Sequence, residues 1–219
     1  MVPQVCLAFV PAWRNLLIRL YRWLDLSDEL GDADLVFALA GRDSRKIFAF
    51  EVFSVGRTSQ LLLSVGRFEI RRFPRLVLPG QLDLLPVVAS VPPEQRHLFV
   101  SMSGGTNRVE LIRKGRLGTL SEIRALRSWL ALRTDIKSVM IVSSASHLRR
   151  VSLCCRRLMP SGVRFQLLAE DGPGVQAREG TWWQTQKTRS VVLLEFPKLL
   201  CYWVVLKLSG SWLQVRSEA

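Results

Sequence analysis

From Asp34 onward, short apolar runs that end in small residues alternate with stretches of helical periodicity, and few folds accommodate that rhythm. The runs cover residues 35–39, 61–64, 98–102, 139–142 and 163–168. They are apolar almost throughout, as strands covered on both faces must be. The spacing predicts helices between them: one over 45–55 stopped by Gly56, one opening at Thr119, and one over 145–159 stopped by Pro160. Strands alternating with helices build βαβ units. The expected fold is therefore α/β, in three layers, around a mostly parallel sheet of about five strands.

Ahead of this domain, which spans 31–210, residues 1–30 read as an amphipathic helix. Trp13, Leu16, Leu17, Leu20, Trp23 and Leu24 recur at helical spacing, with Arg14, Arg19, Arg22 and Asp25 between them. Such a stripe can pack on the domain or lie in a membrane interface, and both remain open. Residues 71–94 hold five of the ten prolines, which rules out one long helix and predicts a loop-rich crossover with one short helix. Residues 191–208 are largely apolar, but Glu195, Pro197, Lys198 and Lys207 interrupt them, so a surface or core helix is expected rather than a membrane span.

With 219 residues and 48% hydrophobic content, the chain can bury one sizeable core. Its 31 Lys and Arg against 18 Asp and Glu leave a formal charge of +13. That excess suits an acidic partner: a phosphorylated or other anionic small molecule, an anionic membrane surface, or nucleic acid. Nucleic acid is disfavoured, because the chain has no reading motif and no basic tail. Cys6, Cys154, Cys155 and Cys201 include no C-x-x-C pair, and His97 and His147 are the only histidines. No metal cage and no cofactor are expected from these residues. The thiols suit a reducing compartment, hence a cytoplasmic protein or one peripheral at the inner face of the plasma membrane.

In an open parallel sheet, ligands bind beyond the carboxyl ends of the strands. The first run ends in Ala40-Gly41-Arg42, the second in Ser64-Val65-Gly66-Arg67, the third in Ser101-Met102-Ser103-Gly104-Gly105, and the fourth in Ser143-Ser144-Ala145-Ser146. All four are expected on one edge, with small side chains and glycines letting backbone N–H groups face a ligand. Ser143, Ser144 and Ser146 are expected to cap the next helix, whose first turn carries His147. Arg150 lies on the same face, so the two can flank one anion. Thr119 and Glu122 have capping-box spacing, which also brings a hydroxyl and a carboxylate to the crevice. Glu69 and Arg71 follow the second strand closely enough to reach it.

In this order, the Ala33-Asp34 strand start, the glycine turn followed by Arg45, Ser64-x-Gly66, Gly118-Thr119-x-x-Glu122 and Ser143-Ser144-x-x-His147-x-x-Arg150 resemble the SanA/ElyC/YdcF-like domain of unknown function. The terminal Glu195-Phe196-Pro197-Lys198-Leu199-Leu200-Cys201-Tyr202 is similar to that family's closing helix, so the resemblance covers roughly 34–210. The chain departs from the family at Ala40-Gly41 and Val65-Gly66, where paired glycines are common, and at Ile123, where asparagine is common. The membrane anchor common in the family is not expected in these residues.

The resemblance implies a Rossmann-like sheet and a role in bacterial envelope or surface-polysaccharide biogenesis, without a settled reaction. The residues nominate His147, Glu69 and Glu122 for catalysis. They nominate Gly41, Arg45, Ser64, Gly66, Thr119, Ser143, Ser144 and Arg150 for ligand binding. One functional reading is a protein that binds, hydrolyses or transfers a phosphorylated or lipid-linked sugar-type ligand. The other is a non-catalytic peripheral membrane module.

Overall fold

The computed structural model describes residues 5–66, 69, 97–104, 106–112, 117–172 and 175–215. The crossover expected over 71–94, with Arg71, lies outside them. Helix α1 (Val5–Leu24) comes first. Strand β1 (Ala33–Ala38), helix α2 (Asp43–Ser54) and strand β2 (Thr58–Val65) follow as one βαβ unit. Next are β3 (Leu98–Ser103), β4 (Thr106–Leu111), α3 (Gly118–Leu130) and β5 (Ser138–Ser143). A single 3-10 turn (Ala145–His147) leads into α4 (Leu148–Leu158), then come β6 (Arg164–Ala169), α5 (Gln186–Leu193) and α6 (Glu195–Val215).

Among the described residues the sheet has six strands, in the order β4-β3-β2-β1-β5-β6. Strands β2, β1, β5 and β6 run parallel, whereas β3 pairs antiparallel with β2 and β4 antiparallel with β3. The expectation of about five strands missed β4, and with it the hairpin. Its signal was there in the Gly104-Gly105 dipeptide of the sequence, and in the fold Ser103 pairs with Thr106 while Gly104 takes a φ of +54°. A reversed β3 also corrects the expected edge, since Ser101 to Gly104 leave at the opposite end of the sheet from the turns after β1, β2 and β5.

Alternation along the strands sorts the core into two layers. Leu35, Phe37, Val139 and Ile141 face α3, α4 and α6. Val36, Ala38, Met140 and Val142 face α2 on the other side. Helix α1 is held on by Leu17, Tyr21 and Leu24, which pack with Trp182 and Val192 in a smaller cluster. Its Trp13, Leu16 and Trp23 are exposed. No helix among the described residues is long and apolar enough to cross a membrane.

Candidate functional site

From β1 the chain moves outward one way to β2, and later the other way to β5 and β6. The strand order therefore reverses at β1 and β5, and the space beyond their carboxyl ends is where such sheets take ligands. Gly41 makes the turn after β1 with a φ of +139°, and a Cβ there would come to 2.8 Å from Arg45 Nη1. The positive φ favours glycine, and a Cβ would also push the Arg45 guanidinium aside.

Arg45 lies on the first turn of α2 and is 5% exposed. Its Nη1 donates to the Ala40 carbonyl at 2.7 Å, and its Nη2 donates to Ser144 Oγ and to His147 Nδ1, each at 2.9 Å. A guanidinium only donates, so Nδ1 accepts and the imidazole proton is on Nε2. That nitrogen faces Glu195 Oε1 at 3.3 Å. Glu195 Oε2 accepts from Arg150 Nε at 2.9 Å, and Arg150 Nη1 donates to Thr119 Oγ1. In the other direction, the hydroxyls of Ser144 and Ser44 both donate to Glu170. One continuous chain thus runs Glu170–Ser144–Arg45–His147–Glu195–Arg150.

Beside it, Glu69 accepts from the N–H groups of Gly41 and Gly66 and from Lys46 Nζ, the last at 2.9 Å. Glu122 accepts from the Ala40 N–H at 2.7 Å and from Ser64 Oγ at 2.6 Å. Ser64, having given its proton to Glu122, accepts from His97 Nε2 at 2.8 Å. Among the described residues, Glu69, Glu122, Glu170 and Glu195 are all at least nine-tenths buried. Each lies against Lys46, His97, Arg45 or Arg150, as buried carboxylates must.

This geometry gathers His147, Glu69, Glu122, Gly41, Arg45, Ser64, Gly66, Thr119, Ser144 and Arg150 beyond the carboxyl ends of β1, β2 and β5. Three local expectations are corrected. The N–H groups of Gly41 and Gly66 turn to Glu69 rather than toward a ligand. No serine side chain caps the turn after β5: Ser144 is committed to Arg45 and Glu170, and the Ser143 hydroxyl is buried with no hydrogen-bond partner among the described residues. Nor does a capping box form, because Leu117 is the N-cap of α3 and Glu122 reaches across to Ala40 and Ser64.

Sequence reasoning missed Ser44, Lys46, His97 and Glu170, and gave Glu195 no role. Glu170 had a signal, because it directly follows β6 and the rule applied to the other strand ends singles it out. Lys46 had none. A lysine in a helix ordinarily reads as solvated, and only the fold shows it 0% exposed against Glu69.

Burial first, then the charges of Arg45, Arg150, Lys198 and Arg42, hold the His147 pKa well below its ordinary 6.5. Burial works against the Glu122 carboxylate, but His97 and the donors Ser64 and Ala40 outweigh it and leave its pKa below the usual 4.5. For Arg150 burial opposes the charge, and Glu195 more than restores it.

These shifts carry a signed expectation. Above pH 6.5 His147 is neutral in the folded and unfolded chains alike and contributes nothing. As pH falls below that value, the unfolded chain takes up a proton that the folded one refuses, and stability drops. Below 4.5 Glu122 adds to the loss in the same direction. The melting temperature should fall steadily from about pH 6.5 to pH 4, and one that rises over this span would contradict the buried neutral imidazole.

Fold and site together define an α/β domain with a buried cluster of paired charges at the switch point of its sheet. No family model matches the chain, and neither a curated protein nor a solved structure does.

Proposed function

We propose that the crevice binds a phosphorylated or lipid-linked sugar-type ligand and supports its hydrolysis or transfer, as the resemblance to envelope-biogenesis domains implies. The observation that carries this reading is the chain from Glu170 to Arg150 at the switch point, with Arg45 at its centre. A guanidinium is planar and suited to two-pronged phosphate contact. Gly41 is exposed, and Arg42, Ser144 and His147 are half-buried, so a ligand entering here meets them over Arg45.

Arg150 has a different role in this reading. Its charge is spent on Glu195, so it is a positioning residue that fixes the carboxylate orienting His147. When a phosphate draws Arg45 away, the His147 Nδ1 lone pair is released to take a proton from water or an acceptor hydroxyl. Glu195 then stabilises the resulting imidazolium through Nε2–H, as the third group does in a nucleophile-base-carboxylate arrangement. Glu69 and Glu122 hold the turns after β1 and β2 in place. The four parallel strands support the Rossmann-like reading, and the buried thiols of Cys154 and Cys155 support a cytoplasmic setting.

The test is a thermal-shift screen with phosphorylated sugars and phosphate monoesters. A ligand at about 100 times its dissociation constant stabilises the parent by about 2.7 kcal/mol. Arg45→Lys, which keeps the charge and loses the fork, should lose most of that shift. Equal shifts in both proteins, or no phosphorylated compound that stabilises the parent, would overturn the reading.

A further inference from the structure

Between the end of α1, α4 and α6 lies a groove of about 470 Å³ whose lining includes none of the residues of the charged chain. Trp23 and Leu26 form one wall, Leu153 and Arg156 a second, and Leu199 and Trp203 a third. Among the described residues, no acidic side chain lines it. Helix α6 buries Tyr202 and Leu206 in the core it shares with α4, yet it exposes Leu200, Val204 and Leu208, Leu200 at 63% and Leu208 at 60%. A helix that is apolar all round is ordinarily covered all round.

The charges around the groove indicate what covers it. The Arg149 guanidinium lies 4.0 Å over the Trp23 ring, which itself stacks on Phe196, and Lys207 lies 4.6 Å from the centre of the Trp203 ring. With Arg156, these put cations beside half-exposed tryptophans. Water–lipid interfaces take up that combination, the rings at headgroup depth and the cations on lipid phosphates. A second copy docked face to face would bring Arg149 and Arg156 against their own images, which disfavours a dimer through this face.

We propose that the groove face docks on an anionic lipid bilayer, with lipid chains filling the space between Trp23, Leu153 and Trp203 while Arg149, Arg156 and Lys207 meet headgroup phosphates. Docking of this kind is peripheral and independent of whether the crevice binds phosphate.

The experiment is flotation of the full chain with vesicles of equimolar phosphatidylglycerol and phosphatidylcholine, against phosphatidylcholine alone. The parent should float with the anionic vesicles at low salt, and added salt should release much of it. Arg156→Gln should lower the partition about fivefold. Leu200→Ser with Trp203→Ser should lower it about tenfold, since both side chains are already half exposed and their loss leaves the core intact. Three outcomes would overturn the proposal: no flotation of the parent, equal flotation of the parent and both variants, or a dimer by sedimentation that Leu200→Ser with Trp203→Ser takes apart.

Discussion

Glu195→Ala unfolds at a free energy about 3–5 kcal/mol below the parent, the range observed when one partner of a buried pair is removed. Glu195 is 1% exposed, and its two oxygens take Arg150 and Lys198 at 2.9 Å and His147 at 3.3 Å. Without it, the Arg150 guanidinium stays buried over Tyr202, and among the described contacts only uncharged partners remain to it. Lys198→Ala is the control. That side chain is 48% exposed, so losing it should shift stability by no more than about 1 kcal/mol. Urea unfolding of the three proteins decides the matter, and a Glu195→Ala midpoint close to that of Lys198→Ala would show that Arg150 does not depend on Glu195.

The second large effect concerns turnover. On whichever phosphorylated compound stabilises the parent, His147→Gln should lower the rate by about 10²–10⁴-fold, the usual contribution of a positioned acid or base. Glutamine can still accept from Arg45 and donate to Glu195, so ligand binding should survive in the same preparation. Because the His147 pKa is held well below 6.5, the acid limb of the parental pH–rate profile should lie below that value. Parental turnover in His147→Gln would remove His147 as the base and turn attention to Glu69 and Glu122.

Much of the sheet was legible because its strands are buried on both faces. Residues 35–39 and 139–142 carry no alternation to confuse with a helix, and they became β1 and β5 within two residues at each end. Strand β4 was hidden for the opposite reason. It lies at an edge, its Arg108 and Leu111 are exposed and its Glu110 half-buried, so it lacks the apolar run that marked the others.

At the crevice, the strand-end rule found Gly41, Ser64, Gly66 and Ser144, because it depends only on where chains leave a sheet. It could not say which donors are already spent. Glu69 takes the two glycine N–H groups, and Glu195 lies 45 residues beyond its partner Arg150. No local spacing encodes a pairing that two elements make only after folding. The same limit hid that Arg150 pairs with Glu195, a carboxylate it shares with His147 and Lys198.

The most direct measurement is the nitrogen NMR spectrum of His147 during titration with phosphate and with the phosphorylated compound that stabilises the parent. In the free protein, Nδ1 should resonate as an unprotonated acceptor and Nε2 as the protonated nitrogen facing Glu195, at neutral pH and somewhat below it. On saturation, the Nδ1 resonance should move as Arg45 transfers its N–H groups to the phosphate, and in Arg45→Lys it should move little at the same concentrations. An imidazole already protonated at neutral pH, or one whose resonances ignore a bound phosphorylated ligand, would contradict the account of this crevice.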